Sequence, residues 1–229
     1  MTIQINDPTR LSAMSISEVV TTQQVHRLDF YSSFGKRALD IAFVLLTLPV
    51  TLPMMILAAL LISLDGGSPI YVQRRVGRGG RIFKMFKFRS MVPDAERALR
   101  EHLEANPEAL AEWTYSQKLR NDPRVTRLGS IMRKCSLDEL PQLLNVLLGD
   151  MSLIGPRPMM VDQTNMYPGR AYYWMRPGIS GLWQVTDRND TAFTARAQYD
   201  DKYFYKLSFA NDCSILAKTF VVVFRGTGY

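Results

Sequence analysis

A stretch of 24 residues, IAFVLLTLPVTLPMMILAALLISL at positions 41–64, carries no charged side chain and limits what this chain can become. As an ideal helix it would be about 36 Å long, enough to cross the hydrocarbon core of a bilayer. Two features argue against a simple crossing. Pro49 and Pro53 fall near its middle, and each proline removes an amide donor and crowds the preceding turn. Broken backbone in lipid needs other partners or a shallow position. Both flanks are also basic, with Lys36 and Arg37 before the run and Arg74, Arg75, Arg78, Arg81, Lys84, Lys87 and Arg89 after it. Positive flanks favour the cytoplasmic side, which puts both ends on one face. The expectation is a re-entrant membrane helix over residues 35–66. It bends at Leu52 and Pro53 into two half-helices of about twelve residues, each about 18 Å long. A kinked spanning helix and a buried soluble helix are the alternatives, although a buried helix this long and apolar is unusual in a small chain. Asp40, at the edge of the run, reads as a partner for Lys36 or Arg37.

Composition narrows the function. Hydrophobic residues make up 47% of the 229 and charged residues 21%, which excludes general disorder. The formal charge of +7 calls for an anionic partner: nucleic acid, anionic lipid or a phosphorylated substrate. Cys135 and Cys213 stand far apart with no CxxC pattern, so neither a disulfide framework nor a zinc site is expected. Residues 1–34 are polar, lack the pattern of a signal peptide and read as an extension. Residues 67–229 read as a cytoplasmic-face domain, which holds the candidate catalytic residues described below. In it, IYVQ (70–73) and IFKMFKF (82–88) form strands around the Gly-rich turn RRVGRGGR, a short β-hairpin. Its mixture of aromatics and cations suits a membrane surface better than nucleic acid, and no nucleic-acid partner is expected. Residues 94–120 read as two helical pieces broken at Asn106-Pro107, with no role for His102. Residues 194–207 read as an amphipathic helix and 213–224 as an apolar one too short to span. The aromatic run AYYWMRPGISGLW (171–183) marks either a membrane interface or ordinary packing. The fold class is α+β, a membrane-associated monotopic domain with a re-entrant helix hairpin, a short β-hairpin and amphipathic helices.

The chemistry concentrates in RLGSIMRKCSLDELPQLLNVLLGDMSLIGPRP (127–158). Ser136-Leu137-Asp138-Glu139 matches a capping box, so a helix is expected from Ser136 to about Leu148, with Gly149 just past its end. Asp138 and Glu139 are then explained as first-turn acids that complement the helix dipole. The same geometry suits catalysis. Two adjacent acids can share a divalent cation with a diphosphate, and an ionised aspartate can attack phosphorus. Arg133, Lys134 and Arg157 could neutralise phosphate oxygens. Arg157 lies between two prolines that restrict its backbone, which would aim its fork. Arg176 and Arg188 are further candidates for phosphate or nucleotide contacts.

Four ordered motifs are similar to those of the bacterial polyprenyl-phosphate sugar-phosphate transferases, the monotopic phosphoglycosyl transferases. They are KRALD (36–40), QRRVGRGGRIFKMFKFRSM (73–91), SLDELPQLLNVLLGDMSLIGPRP (136–158) and RPGISGLWQV (176–185). The resemblance covers about residues 35–225. It implies a monotopic anchor re-entering at Pro53 and a catalytic dyad of Asp138 and Glu139 that holds Mg2+. It implies that Asp138 attacks the sugar-side phosphate of a UDP-sugar with loss of UMP. Undecaprenyl phosphate then takes the hexose-1-phosphate, Glu139 assists and Arg157 binds phosphate. Galactose is the favoured hexose and glucose the next, at the first step of exopolysaccharide assembly. The implied location is the cytoplasmic face of a bacterial inner membrane, whose lipid is a partner; a homo-oligomer is allowed. Two departures stand out: Asp187 where glycine is common in relatives, which bears on specificity, and Cys135 where threonine is common. A Cys135 thiol nucleophile is the minor alternative at the site. A catalytically inactive membrane scaffold for polysaccharide assembly is the alternative for the whole chain.

Overall fold

In a computed structural model the described residues are 30–64, 66–116, 119, 121–186 and 193–224. A π-helical turn, Tyr31–Gly35, leads into helix α1, Lys36–Ser63. The expected division into two half-helices at Leu52 and Pro53 is not seen: α1 runs through both prolines as one helix. The prolines are four residues apart, so the missing amides and crowded carbonyls stack on one face. Losses confined to one face curve a helix without ending it.

Both ends of α1 are fastened to the rest of the chain. At the start, Lys36 pairs with Asp212, and Arg37 donates to the Val146 carbonyl and, at 2.9 Å, to that of Leu147. Asp40 does not bond Lys36 or Arg37 as expected. Its buried carboxylate accepts from the Ser152 hydroxyl and the Leu153 amide, both at 3.0 Å. At the far end, Arg89 donates to the Ile62 carbonyl at 3.0 Å, and Ile62 packs with Phe88 and Met132. Between these ties the helix shows apolar side chains to its surroundings: Leu46 is 81% exposed and Leu60 63%. By length and composition α1 is able to cross a membrane, and a mixed helix and sheet domain attached to it is compatible with membrane association.

The hairpin forms as expected. Strand β1 (Ile70–Val76) pairs antiparallel with β2 (Ile82–Phe88), in register from Ile70 opposite Phe88 to Val76 opposite Ile82. Gly79 and Gly80 take positive φ in the turn, where a side chain would be strained. A separate parallel pair joins β3 (Ser152–Ile154) to β5 (Gly178–Ser180). The two-residue strand β4 (Met159–Met160) adds to β1 at Arg75 and Val76. Tyr172 stitches it there, donating to the Val76 carbonyl and accepting from the Met159 amide at 3.0 Å.

Helices α2 (Ala95–Ala105) and α3 (Pro107–Ser116) are broken at Asn106, as read from sequence. Helix α4 (Arg127–Lys134) is capped by the Thr126 hydroxyl, which accepts from the Gly129 amide at 2.9 Å. The expected capping box is absent. Ser136 sits at φ +54° with no cap bond, Leu137–Glu139 is a single 3-10 turn, and α5 covers only Gln142–Leu148. Pro141 explains the split, because it has no amide to continue a helical ladder back to Leu137. Gly149 ends α5 at φ +88°, as expected for a C′ residue.

Helices α6 (Leu182–Thr186), α7 (Arg196–Tyr205) and α8 (Phe209–Phe224) complete the domain. The main core gathers Val44 of α1, Leu143 and Val146 of α5, Leu153 of β3, Tyr203 of α7 and Ile215 of α8. The aromatic run packs inside: Tyr172 and Trp183 are buried. Tyr167 and Tyr172 form a second cluster with Val76, Met159 and Ala197. There the Tyr167 hydroxyl donates to the Asp200 carboxylate at 2.6 Å. Burial pushes Asp200 up to about 7, against the pull of Tyr167 and Arg196 and with a further push from Asp201.

Two outcomes follow from these buried acids. Asp40→Ala leaves the Ser152 hydroxyl and Leu153 amide unpaired inside the protein, at a cost of about 1–3 kcal/mol. A lower midpoint in thermal unfolding in detergent measures it. For Asp200, the folded chain keeps a proton that the unfolded chain releases above the ordinary carboxylate range. Stability therefore falls as pH rises from about 4 to about 7, at most by about 1.4 kcal/mol per pH unit for this group. Asp200→Asn removes that slope, so the variant gains on the parent across this window and runs parallel to it above pH 8 in denaturant titrations.

Candidate active site at the Asp138-Glu139 turn

The left-handed Ser136 turns the chain sharply after α4, and the 3-10 turn that follows aims two acids at β2. Lys87 of β2 meets them, with its Nζ 2.8 Å from Glu139 Oε1 and 4.0 Å from Asp138 Oδ2. The register that allows this is set by Asn145 of α5, a fully buried side chain. Its Oδ1 accepts from the Phe86 amide at 3.0 Å, and its Nδ2 donates to the Lys84 carbonyl at 2.7 Å. Helix α5 and strand β2 are thereby locked one residue from Lys87.

Asp138 is buried while Glu139 is partly open. Burial pushes the Asp138 carboxyl above its ordinary value. Lys87 and Arg133 oppose that push, and the charge of Glu139 adds to it. Arg133 is held by a 2.9 Å bond from its Nε to the Ser90 hydroxyl. The result is a poorly solvated carboxylate between two cations, an arrangement suited to nucleophilic attack on an electrophile that is itself anionic.

No group of three or more His, Cys, Asp or Glu side chains among the described residues could enclose a metal. The two carboxylates fit Mg2+ in its usual enzymatic form, bound by one or two acids with the remaining ligands from substrate phosphate and water. Asp138 and Glu139 would hold it, with Lys87 giving up part of its claim on Glu139.

The other residues singled out from sequence fall elsewhere. Lys134 and Cys135 are exposed at the end of α4, and neither is bonded to the dyad among the described residues. Arg176 donates its Nε to the Gly149 carbonyl at 2.9 Å, as a cation closing the C-terminus of α5. Leu52 and Pro53 are exposed in the middle of α1. Arg188 and Asp187 lie outside the described residues. Arg157 joins a second group, its guanidinium 6.0 Å from the centre of the Trp183 ring. Arg196 lies over the same ring at 4.2 Å. Arg75 donates to the Pro158 carbonyl at 3.1 Å. Lys87 stands opposite Tyr71 and Arg75 opposite Phe83, so these two cations start from one hairpin face about 13 Å apart, whereas Met159, which lines the recess of Arg157 and Arg196, pairs with Val76 on the other face.

Lys87, Asn145, Arg75, Arg196 and Asp200 did not stand out as site residues in the sequence. For Lys87 a signal existed. Phe83 and Met85 are buried, and Lys87 continues their alternate face, a cation where the pattern asks for an apolar residue.

Comparison with known proteins identifies the family. The family model described as "Bacterial sugar transferase" matches residues 31–226. The UDP-galactose-lipid carrier transferase of Erwinia amylovora is 46% identical over 214 residues, 92% of this chain and 45% of that protein. The undecaprenyl-phosphate galactose phosphotransferase of Salmonella typhimurium is 46% identical over 199 residues, 86% of this chain and 42% of that one. The exopolysaccharide production protein ExoY of Sinorhizobium fredii is 42% identical over 197 residues, 85% of this chain and 87% of its own. The chain thus spans less than half the length of the first two relatives and most of the third. With a family match over nearly the whole described region and this level of identity, the chain belongs to the bacterial sugar transferase family.

Proposed function

We propose that this protein transfers a hexose-1-phosphate from a UDP-sugar to undecaprenyl phosphate, releasing UMP, as a first step in exopolysaccharide assembly. The observation that carries the reading is the buried Asp138 carboxylate beside Glu139 and Lys87, on a domain fastened to an apolar helix. The names of the relatives favour galactose; glucose is the next candidate.

In this reading an Asp138 oxygen attacks the sugar-side phosphorus. A phosphorus–oxygen bond to the nucleotide breaks, UMP leaves with that oxygen, and an acyl phosphate carrying the sugar remains on Asp138. An oxygen of the polyprenyl phosphate then attacks the same phosphorus and returns the Asp138 carboxylate. Lys87 and Arg133 offset the charge as anion approaches anion. Glu139 positions the incoming phosphate and a cation with it. Bound Mg2+ would neutralise phosphate oxygens and fix their orientation.

The reaction joins a soluble donor to a lipid acceptor, so the dyad must sit at a bilayer surface. We propose the cytoplasmic face of the inner membrane, with α1 entering and leaving on that same side. Basic residues at both ends and the tying of both ends to one domain support this. This topology requires α1 to bend where Pro49 and Pro53 interrupt its hydrogen bonds.

Two experiments test the proposal. Purified protein in detergent with magnesium and undecaprenyl phosphate should release UMP from UDP-galactose. Asp138→Asn should lose roughly 10³-fold or more of that rate. Release from none of the UDP-galactose, UDP-glucose and N-acetyl donors in a folded preparation favours the scaffold reading. For topology, single cysteines placed before Lys36 and after Leu64, in a background without native cysteines, should both label from the cytoplasmic side. Labelling from opposite sides rejects re-entry.

A further inference from the structure

Two cations stand beside Asp138, and one short segment places both. Lys87 lies near the end of β2, and Ser90, buried just beyond it, holds α4 in three ways. Its carbonyl accepts from the Thr126 amide at 3.1 Å. Its backbone lies so close to Gly129 that a Cβ there would collide with the Ser90 carbonyl, an approach glycine permits. Its hydroxyl accepts from Arg133 Nε at 2.9 Å. Gly129 and Arg133 are four residues apart and so share one face of α4: the first lets the helix close on Ser90, and the second reaches around it. The bond to Ser90 uses one of the five N–H groups of the guanidinium and fixes the plane of the fork. Among the described residues nothing takes its terminal nitrogens. Asp122, which with Asp138 feels the Arg133 charge, is already gripped by Arg124, whose Nε and Nη2 lie 2.8 and 2.6 Å from its two oxygens. The outer edge of Arg133 is thus an aimed fork beside the acidic pair, and such an edge matches two oxygens of a phosphate.

We propose that Ser90 is a positioning residue for the phosphoryl transfer: its hydroxyl holds Arg133 by Nε so that the two terminal nitrogens face the phosphate that meets Asp138. The proposal rests on the reading of Asp138 as the point of attack. An arginine in the last turn of a short, half-open helix samples many rotamers unless something holds it. Each misplaced rotamer leaves the approach of phosphate to a carboxylate without its counter-charge. Ser90 carries no charge and touches no reacting atom, so its effect passes through Arg133. The end of β2 then sets both cations, Lys87 by its own side chain and Arg133 through Ser90.

The test compares parent, Ser90→Ala, Arg133→Lys and the double variant as full chains in detergent, with thermal unfolding as the check on folding. Lysine keeps the charge and carries a methylene where Arg133 has Nε. In nitrogen-15 spectra, the Nε–H signal missing from Arg133→Lys belongs to Arg133. That hydrogen should exchange slowly with water in the parent and about tenfold faster in Ser90→Ala. The kcat/KM for UMP release from UDP-galactose should fall about tenfold in Ser90→Ala. In the Arg133→Lys background the same substitution should cost nothing further. A folded Ser90→Ala that matches the parent in exchange or in rate overturns the proposal. So does an equal loss in both backgrounds, which marks Ser90 as a packing residue. Failure of the dyad reading looks different: the parent then releases no UMP. The fork is in that case judged on binding, by titrating UDP-galactose into parent and Ser90→Ala while the Arg133 signal is followed. A shift in the parent with about tenfold weaker affinity in Ser90→Ala supports the proposal; equal affinity, or no shift in either, overturns it.

Discussion

Asp40 is a carboxylate buried at the root of an apolar helix, and its two bonds reach the first residues of β3. That tie fixes where α1 meets the domain, and the neighbouring contacts reinforce it. Arg37 neutralises the carbonyl end of α5, and Lys36 meets Asp212 of α8, which also accepts from Tyr203 at 2.7 Å. One turn of α1 is thereby linked to α5, β3, α7 and α8 together. Helix α5 in turn carries Asn145, which holds β2 and so sets the position of Lys87 against the dyad. A line of polar contacts therefore runs from the apolar helix to the acidic pair. The apolar middle of α1, left uncovered by the domain, supplies the remaining constraint, because it requires this line to end near a lipid surface.

The hairpin keeps two charge systems apart. At one end a lysine and an arginine meet two acids, and the balance leaves a buried, nearly compensated carboxylate. At the other end three arginines meet one acid, and the balance leaves excess positive charge. The first arrangement suits a nucleophile that must approach phosphate, and both depend on the same strand register.

Much of this was legible in the sequence. The β-hairpin, the break at Asn106, the glycine after α5 and the acidic pair were read from turn residues, prolines and spacing. The capping box was misread because its pattern is local and Pro141 is not: a proline five residues into a presumed helix withdraws the amide the ladder needs. The helix break expected at Leu52-Pro53 is not seen, since two prolines one turn apart load one helix face. That Arg176 meets the Gly149 carbonyl was not legible, because a sequence cannot show that a helix terminus waits beside it. Lys87 and Arg196 were missed because their partners lie far off in sequence, 52 residues in the case of Lys87 and Glu139. Family motifs found the acids, while only the fold shows which cations face them.

The central claim is that Asp138 becomes covalently loaded with the sugar phosphate. Incubation of the protein with magnesium and UDP-galactose, without polyprenyl phosphate, followed by acid quench and mass spectrometry of intact protein and peptides, tests it directly. The account predicts a hexose-phosphate adduct on the peptide that contains Asp138, removed when undecaprenyl phosphate is added before the quench. UMP release that requires the lipid from the outset, with no adduct on any peptide, would contradict it and leave Asp138 as a charged neighbour in a direct transfer.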